Sequence, residues 1–119
     1  MPSALADALA AKDNLAIAMA LRSDGAVVPV LETDGGSVVR VFRAGDSDKY
    51  MLLLFSSVEQ LAAMVPEEDD PASEVYTAKQ LLDFIQTNVG VLEIVWIDVA
   101  SPDATQAAPI DIMAALELT

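Results

Sequence analysis

The sequence predicts a single α+β domain in which helices pack against a mixed β-sheet. The chain has 119 residues, of which 54% are apolar, enough for one domain with a hydrophobic core. Short runs rich in Val, Leu and Ile alternate with stretches whose apolar residues recur every three or four positions. No internal repeat or linker divides the chain, so we expect a helical segment over 1–24 joined to an α/β core over 25–119.

The N-terminal segment is predicted to be helical. Residues 3–22 are rich in Ala and contain neither Pro nor Gly. The pattern can break at residues 12–14, where Asp13 or Asn14 could cap a second helix, so one helix and two helices both remain open. Residues 15–21 are apolar on every side, and we expect them to be deeply buried or covered by a partner.

Three strands are predicted next, as an antiparallel meander. The first covers 26–33, and because Pro29 cannot donate to a ladder, we expect an edge strand or a bulge there. The Asp-Gly-Gly sequence at 34–36 predicts a hairpin turn that leads to a second strand over 38–43. Residues 50–55 are apolar throughout, which predicts a central strand covered on both faces.

A helix over 58–65 is predicted to follow at once. Ser57 and Gln60 fit a capping box, and Pro66 ends the helix. One face of this helix carries the apolar residues Val58, Leu61, Ala62 and Val65. An acidic loop over 67–71 comes next.

The C-terminal part alternates strands and helices. Residues 73–76 predict a short strand, and a second capping box opens a helix over 77–89 that Gly90 closes with a left-handed cap. Residues 91–99 predict the longest strand, placed centrally in the sheet. After a loop with two prolines, 111–118 predict a terminal helix.

The order of these elements resembles the N-terminal domain of the SseB family of small bacterial proteins. The segment 53–61, LLFSSVEQL, is similar to a family motif in which a buried strand ends in Phe and hydroxyl residues and a helix follows. The Leu-rich helix 77–89 with the strand 91–99, and the Pro-containing strand around 28–30, are further points of resemblance. The resemblance covers about residues 14–118.

The resemblance implies this fold and a regulatory or partner role, without an accepted enzymatic activity. The family name refers to serine sensitivity, and no catalytic residues accompany the match. The family's Asn-Pro turn after the last long strand is replaced here by Asp-Val-Ala-Ser-Pro at 98–102.

The composition argues against most catalytic chemistries. The chain has no His and no Cys, which excludes an imidazole base, a thiolate nucleophile, a disulfide and zinc sites made of these ligands. We therefore expect a protein that is not an enzyme and has neither a cofactor nor a metal. Its formal charge of -13 disfavours nucleic acids and anionic membranes, and it favours solubility or a basic partner.

Targeting signals are not evident either. The N-terminus has no basic region followed by an apolar core and cleavage pattern. The apolar run 15–21 is far shorter than the about 20 residues of a membrane-spanning helix. We expect a cytoplasmic protein.

Two motifs that could carry chemistry have simpler explanations. The acidic run 67–70 could attract Ca²⁺ or Mg²⁺, but it lacks the spacing that wraps a loop around an ion, which favours a solvated loop. Ser56 and Ser57 lie at a predicted strand-to-helix turn, but the sequence around them lacks the Gly-x-Ser-x-Gly motif of a nucleophilic serine, and the chain has no His to act as its base. We expect Ser57 to be a helix cap.

Three residues of the predicted strand 91–99 are candidate site residues. Glu93 interrupts an apolar run, and we expect either an exposed strand end or a pair with Arg40 or Arg43. Trp96 favours core packing, with ligand stacking as the alternative. Asp98 lies near a strand end, where ligands of open sheets often bind.

Two functional hypotheses follow. The first is a non-catalytic interaction module whose surface is acidic or includes the apolar segment, with Leu15, Ile17 and Met19 as candidate contacts. Its partner would be another protein or a second copy of the chain, as in a homodimer. The second is a small-ligand-binding regulatory domain with a pocket near the end of strand 91–99, beside Trp96 and Asp98.

Overall fold

The computed structural model describes residues 4–43, 48–68 and 71–117, and within them the chain forms five helices and seven strands. Parallel and antiparallel pairs both occur, which confirms the predicted α+β class. None of the described helices is long and apolar enough to cross a membrane. The helices are α1 (Ala4–Ala11), α2 (Asn14–Asp24), α3 (Val58–Met64), α4 (Ala78–Asn88) and α5 (Pro109–Glu117). The strands are β1 (Ala26–Thr33), β2 (Gly36–Val39), β3 (Phe42–Arg43), β4 (Tyr50–Leu54), β5 (Ser73–Tyr76), β6 (Leu92–Ile97) and β7 (Thr105–Ala107).

The N-terminal segment forms two helices and not one. Lys12 adopts a positive φ of 56°, which interrupts the helical hydrogen bonding after α1. Asp13 then caps α2, because its Oδ1 accepts from the backbone N–H groups of Leu15 and Ala16 at 3.1 and 3.2 Å. The chain therefore turns back between α1 and α2, and the two helices pack against each other.

The strands form two small sheets. One has the order β2-β1-β5 and the other the order β3-β4-β6-β7, with β4 and β6 parallel and the remaining pairs antiparallel. The central positions predicted for the strands 50–55 and 91–99 are confirmed. The strand predicted over 38–43 is instead two strands, because β2 pairs with β1 whereas β3 pairs with β4. A further strand, β7, lies within the segment predicted as a loop.

The prediction that Pro29 marks an edge strand or a bulge is wrong. Strand β1 lies between β2 and β5, and Pro29 is buried. Proline is tolerated because β1 changes partners there: it pairs with β5 up to Pro29 and with β2 from Val30 onward. The Pro29 carbonyl accepts from the N–H of Arg40 at 2.8 Å, and Arg40 lies one residue beyond β2. The N–H group that proline lacks is therefore not required by the β1–β2 ladder, which has already ended at this position.

The two sheets are joined at the end of β4. Val27 and Phe55 exchange both backbone hydrogen bonds at 2.9 Å, forming an antiparallel bridge between β1 and the residue that follows β4. One face of the joined sheets packs on α1, α2, α4 and α5 around the main core, which includes Leu9, Leu21, Val28, Leu54, Ile85 and Val95. The opposite face packs on α3 around a smaller cluster of Val27, Leu53, Phe55, Leu61 and Val65.

Some helix ends agree with the sequence and others do not. At α3 only half of the predicted capping box forms, since Ser57 accepts from the Gln60 N–H, and α5 begins at Pro109, two residues before its predicted start. Thr77 and Gln80 form the predicted capping box, with hydrogen bonds of 2.9 and 3.3 Å between each backbone N–H and the other side chain. The predicted left-handed cap at Gly90 is wrong, because among the described glycines only Gly25 and Gly36 have a positive φ. Helix α4 ends instead in a turn in which the Val91 N–H donates to the Asn88 carbonyl at 2.9 Å.

Replacement of Gly25, between α2 and β1, by alanine is expected to destabilise the fold. Its φ of 69° and ψ of -152° lie in a region open essentially to glycine, and an added Cβ would overlap the backbone carbonyl oxygen of Tyr76. We expect Gly25→Ala to lower the free energy of unfolding by about 2–4 kcal/mol in urea titrations. Gly35→Ala is the matched control, since nothing lies within 4 Å of its added Cβ, and a loss equal to that of Gly25→Ala would contradict the prediction.

Candidate functional site

Asp98 is a charged residue that is buried at the carboxyl end of β6. It is 3% exposed, and its φ of 51° is a backbone conformation that Asp and Asn tolerate better than most residues. Its Oδ1 accepts from the Ser56 N–H at 2.7 Å and its Oδ2 accepts from the Ser56 hydroxyl at 2.6 Å. The backbone of Asp98 continues the same network, because its N–H donates to the Leu54 carbonyl and its carbonyl accepts from the Ser101 N–H.

This geometry makes Asp98 a clamp between the ends of two parallel strands. Hydrogen bonds to a carboxylate are short and about twice as strong as neutral ones, and both carboxylate oxygens are engaged by Ser56. Ser57, the next residue, caps α3 by accepting from the Gln60 N–H at 3.3 Å, which confirms its predicted role. The strand end highlighted by the sequence is thus a tightly hydrogen-bonded corner.

Trp96 and Glu93 lie elsewhere on the same strand. Trp96 is partly buried and packs against the cluster beneath α3. Glu93 is exposed, which agrees with the first of the two alternatives predicted for it, an exposed strand end. Its alternative pairing with Arg40 is wrong, because Arg40 forms a two-pronged salt bridge to Glu68, with both N–O distances at 3.1 Å. The Arg40 guanidinium also lies 4.9 Å from the centre of the Phe42 ring.

The acidic run 67–70 is described only in part. Glu68 is engaged by Arg40, while Asp69 and Asp70 lie outside the described residues. Within the ranges that are described, no group of three or more His, Cys, Asp or Glu side chains is placed to hold a metal ion.

The apolar segment 15–21 is divided between the core and the surface. Ile17 is 7% exposed and belongs to the main core, whereas Leu15 and Met19 are 65% and 55% exposed. The division follows helical geometry, since residues four apart share a face and the residue midway points to the other side. A contact surface on this segment would therefore use Leu15 and Met19 but not Ile17.

Met19 borders a shallow groove between α1 and α2, which we call the α1–α2 groove. Its volume is about 500 Å³, and half of its lining residues are alanine. Carboxylates stand along it, but no Lys or Arg does among the described residues. The groove is lined by Ala4, Asp7, Ala8, Ala11, Asp13, Ala16, Met19, Ala20, Ser23 and Asp24.

A second concavity lies on the other side of α2, between α2, α5 and the β6–β7 pair. This α2–α5 cavity has a volume of about 350 Å³ and reaches the main core. It borders Ile97 at the end of β6, whereas Trp96 and Asp98 do not line it. Sequence reasoning missed it because its walls come from three distant segments, one of them the unpredicted strand β7. The lining residues are Asn14, Ile17, Ala18, Leu21, Ile97, Thr105, Gln106, Ala107, Asp111, Ile112 and Ala115.

The Asp98 clamp is expected to contribute measurably to stability. Asp98→Ala removes both acceptors of Ser56 and puts a residue with a lower tolerance for positive φ in its place. We expect a loss of about 2–4 kcal/mol in the free energy of unfolding, and about 1–2 kcal/mol for Asp98→Asn, which keeps one acceptor oxygen. Urea titrations of both variants check the order. Equal stability of Asp98→Ala and the parent protein would contradict the clamp.

Comparison with known proteins places the chain in a family. A family model described as the SseB protein N-terminal domain matches residues 2–113, which is nearly the whole chain. No curated protein and no solved structure matches the chain. The match agrees with the resemblance carried by the segment 53–61, which spans the end of β4, the clamp serine and the start of α3. The chain belongs to the SseB family and corresponds to its N-terminal domain.

Proposed function

We propose that this protein is a non-catalytic interaction module whose α1–α2 groove binds a basic amphipathic helix of a partner protein. The observation that carries the proposal is that an exposed methionine, five alanines and three aspartates line one groove. Family membership by itself leaves the activity open.

The apolar part of the groove suits a helix. Alanine side chains allow the backbone of a bound segment to approach closely, and the flexible thioether of Met19 adapts to different apolar residues. Leu15 does not line the groove, but it is exposed one helical turn before Met19 on the same face of α2. An amphipathic helix placed in such a groove would bury residues spaced three and four apart.

The charges support a basic partner over a second copy of the chain. Asp7, Asp13 and Asp24 line the groove, and the carboxylate of Asp13 is partly satisfied by the α2 amides that it caps. The chain as a whole carries -13 charges, so two copies repel each other at neutral pH, whereas Lys and Arg side chains are attracted.

Two observations support a non-catalytic role. The sequence contains no His and no Cys, which leaves carboxylates, Lys and Tyr as the available acids and bases. The buried carboxylate, Asp98, has both oxygens hydrogen-bonded to Ser56, which makes it a poor candidate for a general base.

A synthetic peptide tests the groove directly. The probe is a helical Leu-Lys peptide of about 18 residues, or five turns, and its counterpart carries Glu in place of every Lys. In NMR titrations of the labelled protein, we expect the Lys peptide to shift amide signals of α1 and α2, and the Glu peptide to leave them unchanged. Met19→Gln and the double variant Asp7→Asn with Asp24→Asn should each weaken binding about tenfold or more, which corresponds to about 1.4 kcal/mol.

Matched controls separate the groove from general charge attraction. Leu31→Gln changes a side chain that is 50% exposed on β1, and Glu32→Gln with Glu74→Gln removes two charges outside the groove. Equal weakening by the control variants would contradict the proposal. So would a concentration-dependent dimer that Met19→Gln dissociates, observed by sedimentation with no peptide binding, because the occupant would then be a second copy.

A further inference from the structure

We propose that the α2–α5 cavity is a binding site for a small molecule with an apolar body and a cationic amine head group. This site is separate from the α1–α2 groove. The two share α2 but no lining residue, and they open on different sides of that helix.

The size and depth of the cavity fit a small molecule. Its volume of about 350 Å³ lies at the lower end of the range for ligand pockets, about 300–1,000 Å³. Its floor is made of side chains that also belong to the main core, namely Ile17, Leu21, Ile97 and Ile112. An apolar group that enters the cavity would therefore contact the core.

Short side chains keep the cavity open. Ala18 from α2, Ala107 from β7 and Ala115 from α5 all face it, and larger aliphatic residues at these positions would occupy the space. Interiors are normally packed closely, because unfilled space loses dispersion contacts. A ligand would restore those contacts.

The polar atoms at the cavity select the head group. Asp111 is the ionisable residue of the lining, and no Lys or Arg lines the cavity among the described residues. Thr105 donates its hydroxyl hydrogen to the Asp103 carbonyl at 3.2 Å, so the oxygen of that hydroxyl is left as an acceptor. The side chains of Asn14 and Gln106 add two amide oxygens as acceptors and two amide NH₂ groups as donors.

These acceptors suit a group that only donates. A primary ammonium has three N–H donors and no acceptor, and its charge is complementary to Asp111 and to the net charge of -13. A carboxylate or phosphate head group could accept from the amide NH₂ groups of Asn14 and Gln106, but it would be repelled by the charge of Asp111 and by the net charge of the chain. We therefore assign amines and not acids to this site.

Matched pairs of probes test the assignment. The amines are 2-phenylethylamine, tryptamine and hexylamine, and the acids of similar shape are 3-phenylpropionate, indole-3-acetate and hexanoate. In methyl NMR titrations of the full chain, we expect at least one amine to shift the signals of Ile17, Ile97 and Ile112 in a saturable manner. The matching acid should bind at least about tenfold more weakly.

Variants separate the apolar part from the charged part. Ala115→Leu should fill the cavity, abolish the methyl shifts and leave the protein folded with an unchanged or raised Tm. Asp111→Asn keeps the volume and should weaken the amine about tenfold while leaving the acid unchanged or slightly better bound. Asp83→Asn on α4 and Met19→Gln in the α1–α2 groove are the controls, and both should bind the amine like the parent protein.

The proposal is overturned if none of the amines shifts the three isoleucine methyls, or if the acids bind as well as the amines. Should Ala115→Leu fail to fold, Asp111→Asn decides the matter, since amine affinity that is unaffected by that variant would also overturn the proposal. None of these results depends on whether the α1–α2 groove binds a peptide, so the two proposals fail or survive separately.

Discussion

The end of β4 is the point on which the rest of the structure depends, because four consecutive residues there are bonded to different parts of the fold. Leu54 accepts from the Asp98 N–H, Phe55 exchanges two hydrogen bonds with Val27, Ser56 binds the Asp98 carboxylate, and Ser57 caps α3. The two sheets and α3 are thus connected through these four residues. The side chain of Phe55, fully buried under α3, fills the space between them.

This junction positions the surfaces to which we assign function. The Phe55 bridge fixes β1 at Val27, and β1 follows directly from α2 through Gly25, whose backbone lies against Tyr76. Helix α2 is therefore held at its C-terminal end by the sheet. Its outer side forms the α1–α2 groove with Met19, and its inner side forms the α2–α5 cavity with Ile17. Both proposed sites depend on the placement of this one helix.

Several features set by local chemistry are predictable from the sequence, although the left-handed cap at Gly90 is not formed, and most features set by particular distant partners are not predictable. The Thr77 capping box involves residues three apart, so a single sequence reveals it. The missing donor of Pro29 is visible in the sequence and predicts an edge strand or a bulge, whereas the change of ladder partner that accommodates Pro29 depends on β2 and β5. The sequence likewise suggests Asp98 as a site residue, because its hydrogen-bond partner Ser56 lies 42 residues away and cannot be recognised from the sequence.

The candidate surface residues show the same limit. Because every residue of 15–21 is apolar, the sequence does not show which of them face solvent. The four-residue spacing of Leu15 and Met19 does predict that these two lie on the same face of the helix. The α2–α5 cavity was beyond sequence analysis, since three alanines from separate segments produce it.

Native-state hydrogen exchange of individual amides tests the junction most directly. The N–H groups of Val27, Phe55, Ser56 and Asp98 should exchange only by global unfolding, with the same free energy as the β4–β6 ladder. Opening the Val27–Phe55 bridge separates the two sheets, and opening the bonds of Ser56 or Asp98 separates the ends of β4 and β6. The amides near the hairpin turn between β1 and β2 should exchange faster. If Val27 and Phe55 exchanged as fast as the hairpin while β4 and β6 stayed protected, the two sheets would open independently and the junction would not hold the fold together.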